Sequence, residues 1–395
     1  MWAELDLDAL AHNLSRIRSA AGPGVRLMLV VKADAYGHGA VAIAHHAVRC
    51  GVGALGVGTS AEALELRQAG VRSPILVLGT VVEEELAACL RHGVHIGLHS
   101  SDRRASLEAL AGRLGLRAHV HLNVDTGLGR LGVLPARAID LLREVHASAH
   151  LQLAGIMTHV AAPDGALDPF THEQAERFDR ILDLAREARL RLGWTHVANS
   201  ACIFTGLSGP YDTVRPGIAA YGALPRHLPG ASRLRPVLAL RSQVVFLKDV
   251  PAGTPIGYAS TWRATRSTRI ATLPVGYNDG VPWRLAGTGE VLLRGRRAPI
   301  VGRVSMDYTT VDVGGVAGVA VGDVATLVGR DGDEEIRLGD LARQAGTIPY
   351  EISCSIGRRV SRVHVGGEEW TLPAQAAPER KPAPGTSPSW TGVAE

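Results

Sequence analysis

Lysine is the scarcest charged residue here: of 42 basic side chains, only Lys32, Lys248 and Lys381 are lysines. A lysine in a special place therefore stands out. The chain has 4 cysteines, Cys50, Cys89, Cys202 and Cys354, far apart and without a CxxC pair. That spacing supports neither a zinc site nor a disulfide framework. No stretch approaches the roughly 20 apolar residues of a membrane helix, and the Gly/Val region from 314 to 328 is broken by Asp323. The opening MWAELDLDAL is acidic and alternating, unlike a signal peptide. No excess of one charge sign exists either: 42 Lys+Arg stand against 38 Asp+Glu, interleaved, so no basic face for nucleic acid is expected. These absences make a soluble, reduced, cytoplasmic protein the default.

What is present is globular composition, 46% hydrophobic and 20% charged over 395 residues. That length favours two domains. Apolar runs at Leu27–Val31, Ala54–Val57, Ile75–Leu78, Val94–Gly97, Ala118–Val124, Leu153–Thr158, Thr195–Ala198 and Thr213–Arg215 alternate with helical periodicity. The clearest helical segments are Asp8–Ala20, Ser60–Ala69, Glu83–His92, Ala136–Ala147 and Pro169–Arg191. Eight βα units over residues 8–230 predict a closed (β/α)8 barrel, an α/β fold. An open doubly wound sheet is the alternative. Over 236–370, strand-like runs such as Leu238–Leu247 and Thr268–Leu273, separated by Gly/Pro turns, predict a mostly β domain. Residues 2–7 are expected to pair into it. The Ala/Pro-rich tail, 373–395, reads as disordered.

The strongest chemical signal is Lys32 at the end of the first apolar strand, before Ala-Asp-Ala-Tyr36-Gly-His-Gly39. Burial lowers a lysine's pKa, as a Schiff-base lysine requires. A barrel collects its active site at the C-terminal strand ends. Those ends supply Lys32, Asp125 to Arg130, His159, Asn199-Ser200 and Arg215-Pro-Gly217. Each alone reads equally well as a capping or loop residue; together they surround one mouth. The loops after strands seven and eight suit a phosphate. A lysine for an aldehyde beside a phosphate cradle implies pyridoxal 5′-phosphate.

The motifs VVKADAYGHG (30–39), DTGLGRLG (125–132), THVA (158–161), ANSA (198–201), VRPGIAAYG (214–222), LPVGYNDG (273–280), GRVSMD (302–307) and TIPYE (347–351) closely resemble those of bacterial alanine racemases, from Trp2 to about Val365. The resemblance implies a pyridoxal-phosphate isomerase that interconverts L- and D-alanine for peptidoglycan. Lys32 would carry the cofactor and act as one base, and Tyr277 as the opposing base. The family works as a homodimer in which this tyrosine, with Met306, enters the partner's barrel mouth. Arg215 would face the pyridine nitrogen, and because Arg only donates, the ring would be a weak electron sink. Tyr36, Asn199, Ser200, Gly217, Ile218 and Tyr350 match the phosphate set. Arg130 matches a residue near the substrate carboxylate, and His159 one beside the cofactor ring. Met306 would line a small substrate pocket, and Asp307 matches an acid of uncertain role.

One position departs. Many relatives carry a carbamylated lysine where this chain has Asn123. An amide cannot form a carbamate, and Asn123 is expected instead to contact a bound anion beside Arg130. Ser305, often Cys in relatives, should matter little. Gly127-Leu-Gly129-Arg-Leu-Gly132 spells GxGxxG, but the helix and acidic residue of a dinucleotide site are not in register. His45, His46, His92, His95 and His99 lack accompanying carboxylates and read as surface and packing residues. A broader racemase, a decarboxylase on the same architecture and a non-catalytic pyridoxal-phosphate protein are the rival functions. Tyr277 and the β domain argue against the last two.

Overall fold

The computed structural model describes residues 1–162 and 167–367; the 373–395 tail lies outside them. Eight parallel strands close into a barrel: Arg26–Val30, Ala54–Val57, Ile75–Val77, His95–Leu98, Ala118–Asn123, Leu151–Met157, Trp194–His196 and Thr213–Val214. The last pairs with the first, Thr213 against Arg26. The (β/α)8 fold expected from the alternating runs is therefore the fold observed. Ile75, Leu76 and Val77 are all buried, because a barrel strand is covered on both faces. Several of the surrounding helices start at side-chain caps. Asp6 accepts from the Ala9 N–H at the start of Leu7–Ala21. Thr59 and Glu62 form a reciprocal capping box on Ser60–Gln68. No helix among the described residues is long and apolar enough to cross a membrane.

The second unit is mostly β, with its own core around Leu240, Leu273, Val291 and Leu327. Its main sheet runs Arg296–Pro299, Glu290–Leu293, Val324–Asp331, Leu238–Gln243, Trp2–Asp6 and Ser361–Val365. The N-terminal strand Trp2–Asp6 lies antiparallel to Leu238–Gln243 and parallel to Ser361–Val365. The single run Leu238–Leu247 is in fact two strands. Leu238–Gln243 belongs to this sheet, whereas Phe246–Val250 pairs with Thr268–Leu273 in a separate three-stranded sheet. The chain changes sheets at Val244, bonded to Asp323, and Val245, bonded to Thr272. Hydropathy does not mark this point, because apolar residues run straight through it, from Val244 to Leu247.

The short helix Pro349–Cys354 carries the second unit to the barrel mouth. It sits so close that a Cβ at Gly37 would come within 2.1 Å of the Ser353 carbonyl.

Candidate active site

Lys32 follows directly on the first barrel strand and begins an unusual turn. Ala33, Asp34, Ala35 and Tyr36 all have φ between 52 and 55°, one turn of left-handed helix built without glycine. Each such residue costs about 1–2 kcal/mol, so neighbours must hold it. The Glu62 carboxylate accepts from the Ala33 N–H at 2.7 Å. Asp34 accepts from the Ala40 N–H at 2.7 Å. His38, fully buried, contacts the carbonyls of Ala35 and Tyr36 through Nδ1 at 2.9 and 2.8 Å. Carbonyls only accept, so Nδ1 carries the proton. The turn bends the chain sharply after Lys32, and both Lys32 and Tyr36 line one cavity.

That cavity has a volume of about 360 Å³. Around it stand Lys32, Tyr36, Asn123, Arg130, His159, Asn199, Ser200, Arg215, Gly217, Ile218 and Tyr350. The Lys32 amine has its pKa lowered, first by burial and then by Arg130, while Glu62 and Cys354 act in the opposite sense. His159 is pushed down to about 3 by burial, Arg215, Arg130 and Lys32, and is neutral. Tyr350 is pushed up to about 12 by burial and is a hydroxyl donor at neutral pH.

Arg215 is the most constrained of these groups. Its terminal nitrogens donate to His196 Nδ1 at 2.9 Å and to the carbonyls of His196, Thr158 and Val197 at 2.7, 2.7 and 3.0 Å. The Nε–H is left with no acceptor among the described residues, on a side chain that lines the cavity. Burial lowers the guanidinium to about 10, so it stays charged at neutral pH. At the same end, Asn199 caps the helix Ser200–Phe204, and Ser200 Oγ accepts from the Gly217 and Ala219 N–H groups at 2.9 and 3.2 Å. A Cβ at Gly217 would fall 2.7 Å from the Tyr36 hydroxyl, so a side chain here would have to push the Tyr36 ring aside.

Comparison with known proteins supplies the family. The alanine racemase N-terminal domain matches residues 5–225, and the alanine racemase C-terminal domain matches 237–364. The chain belongs to the alanine racemase family. The alanine racemase of Symbiobacterium thermophilum is 42% identical over 370 residues, spanning 93% of this chain and 97% of the relative. That of Halothermothrix orenii is 40% identical, spanning 93% and 98%. The crystal structure of alanine racemase from D-cycloserine-producing Streptomyces lavendulae superposes with a TM-score of 0.86 at 34% identity, covering 93% of this chain and 97% of that one. The alanine racemase of Clostridium difficile 630 gives 0.87 at 34%, covering 92% and 95%. Membership makes this chain an enzyme.

Two residues implied by the alanine racemase resemblance do not line the Lys32 cavity. Tyr277 is 46% exposed and Met306 is 53% exposed. They share one rigid corner. The Tyr277 N–H donates to the Ser305 carbonyl at 3.0 Å and the Asn278 N–H to that of Met306 at 3.3 Å. A Cβ at Gly276 would lie 2.3 Å from both carbonyls. Asp279, fully buried, accepts from Arg359 at 2.5 and 3.0 Å, and Arg359 also reaches Asp307 at 2.6 Å. Ser305 Oγ bonds within its own turn, to the Tyr308 carbonyl at 2.9 Å.

Asn123 has both amide hydrogens directed inward, to the Leu131 carbonyl at 3.0 Å and to His99 Nδ1 at 3.3 Å. Gly127 and Gly129 fold their N–H groups onto the Asp125 carboxylate at 3.0 and 3.1 Å. The GxGxxG string thus closes a loop on its own chain and does not open a helix.

Sequence reasoning missed Glu62, Asp279, Arg359 and His196. The capping-box spacing Thr59-x-x-Glu62 was a legible signal for the first. The salt bridge joining 279 to 359 spans too much sequence to leave a local one.

Proposed function

We propose that this enzyme interconverts L- and D-alanine using pyridoxal 5′-phosphate, as a homodimer whose two sites each draw on both copies of the chain. One observation carries the reading: the Lys32 cavity is closed by an arginine whose single unspent N–H belongs to its Nε. Arg cannot accept, so this donor suits an unprotonated ring nitrogen. At the same cavity, Tyr36, Tyr350, Asn199, Ser200 and the Ile218 N–H, with Gly217 giving close backbone access, suit the neutral donor set that holds a phosphate.

Bound there, the cofactor would supply the electron sink that acidifies an amino acid's α-C–H. Lys32 is the residue that would hold its aldehyde carbon and, once freed, carry a proton at Nζ on one face. Its lowered pKa keeps the neutral amine accessible. Tyr277 of the second copy carries a proton at Oη on the other face. Its exposure, with Trp283 and Met306 also about half exposed, suits an apolar corner that another chain covers. Arg215, by donating only, limits how far charge spreads from Cα and so favours return of the proton there. Arg130 takes the substrate carboxylate, neutral His159 packs beside the ring, and Met306 limits the pocket to a small side chain.

Asn123 contributes an anion contact in one form. The N–H directed at His99, the longer of its two bonds, turns to an anion such as chloride beside Arg130. A halide titration checks this: activity responds in the native enzyme and not in Asn123→Asp, and a flat native response contradicts it. In the cell the product would serve peptidoglycan from a cytoplasmic enzyme.

The test of the whole reading is a proton NMR assay in deuterium oxide with pyridoxal phosphate and L-alanine. Loss of the α-proton together with appearance of D-alanine in equal final amount is expected. Amine formation by decarboxylation, or no exchange, contradicts the reading.

A further inference from the structure

The interior of a barrel is normally filled by branched hydrocarbon side chains. Here three imidazoles stand in file across it. Arg215 donates to His196 Nδ1 at 2.9 Å. His196 Nε2 lies 3.0 Å from His121 Nδ1. His121 Nε2 lies 3.0 Å from His95 Nδ1. His121 and His196 are wholly buried. The rings come from three different strands, His95–Leu98, Ala118–Asn123 and Trp194–His196. Space is made for them: a Cβ at Gly155 would sit 2.5 Å from His121 Nδ1. Trp194 packs edge-on against His121 at 5.4 Å, with the Arg26 guanidinium 4.2 Å over the indole. His119 stacks on His95 at 4.8 Å.

The hydrogen-bond direction along this file follows from its first member. A guanidinium has no acceptor, so His196 Nδ1 must be bare and its proton must sit on Nε2. That N–H needs a bare Nδ1 on His121, whose proton must then be on Nε2. The same step puts the His95 proton on Nε2. Flipping one ring, or adding a proton to His196 or His121, sets N–H against N–H. Burial and the neighbouring Arg215 charge keep both rings neutral, which the file requires.

We propose that His121 and His95, acting through His196, are positioning residues for Arg215: a one-way chain of neutral imidazoles that fixes the guanidinium plane and so keeps its Nε–H aimed into the cavity. A chain of aligned bonds polarises each member, so the effect reaches His95 without contact. The proposal rests on reading Arg215 as the partner of the cofactor ring, but the proton pattern can be tested without that reading.

Neutron diffraction of the deuterated holoenzyme locates the protons directly. Deuterium on Nε2 of His95, His121 and His196 is expected; deuterium on Nδ1 of His121 or His196 overturns the proposal. The second measurement is kinetic and spectroscopic. His121→Phe fills the space and breaks the file. It should lower kcat by about tenfold with KM changed less than about twofold, and shift the absorbance of bound pyridoxal phosphate. His95→Leu, a milder change at the file's end, should lower kcat by about two- to threefold in the same sense and decides the matter if the first variant does not fold. Native kcat and absorbance in a folded variant that has lost thermal stability would show that the rings only fill space. If the protein binds no pyridoxal phosphate but the Nε2 pattern is present, the cofactor reading fails and the one-way file survives.

Discussion

The two groups proposed for proton transfer, Lys32 and Tyr277, stand on different units of the chain and are held in different ways. Lys32 lines the cavity at the barrel mouth, its side chain still reached by solvent, and leads into a strained left-handed turn that Glu62, Asp34 and His38 tie down. Tyr277 stands on the surface of the β unit, on a corner stiffened by Gly276, Asp279 and Arg359. Partial burial of its amine and the Arg130 charge lower the pKa of the first side chain. The second is presented outward on a rigid mount, as the proposed two-chain site requires. Rigidity serves any site, but an exposed tyrosine so held suits one that a second chain completes.

The largest break in this comparison is Lys32→Ala. Activity should fall by at least about a thousandfold, the upper range for losing a positioned acid–base group. Borohydride reduction of the pyridoxal-phosphate-loaded variant should add no cofactor mass to its peptides, whereas the native peptide carrying residue 32 should gain it; a gained mass at another lysine contradicts the assignment. On the other side, Arg359→Met removes the bridge between Asp279 and Asp307. That should lower kcat by about tenfold through Tyr277 while cofactor binding, measured by fluorescence titration, stays native. Weakened cofactor binding with native kcat would place Arg359 in the barrel side's support instead.

The smallest effect is on stability. His38 and His95 are each held at about 4 by burial, against an ordinary 6.5. Between those values the unfolded chain binds protons that the folded chain refuses. Stability is therefore full above pH 6.5 and declines toward pH 4. Urea midpoints at pH 7.5 and 5 check this, and an unchanged or higher midpoint at pH 5 contradicts it.

The barrel was legible because most of its strands are short apolar runs and helices such as Pro135–Ala147 and Pro169–Glu187 keep their period, so local pattern and burial coincide there. The polar strand ends then located the mouth, with Lys32 at its first position. The left-handed turn after Lys32 was hidden. Ala, Asp, Ala and Tyr all prefer the right-handed region, and only distant partners such as Glu62 reverse that preference. The break at Val244 was hidden because Leu238–Leu247 reads as one strand-like run with apolar residues continuing through the break. The histidine file was half visible: His119-x-His121 alternates along a strand, but only closure of the barrel brings His95 and His196 to the same line.

Whether one site needs two chains is tested most directly by mixing two inactive proteins. Lys32→Ala and Tyr277→Phe homodimers are combined in equal amounts and allowed to exchange subunits. If Tyr277 serves the partner's barrel, each mixed dimer regains one intact site of its two. Half of the dimers are then mixed, and activity should return to about a quarter of native. If Tyr277 serves its own barrel, every site in the mixture lacks one group, and activity should stay at the level of the separate variants.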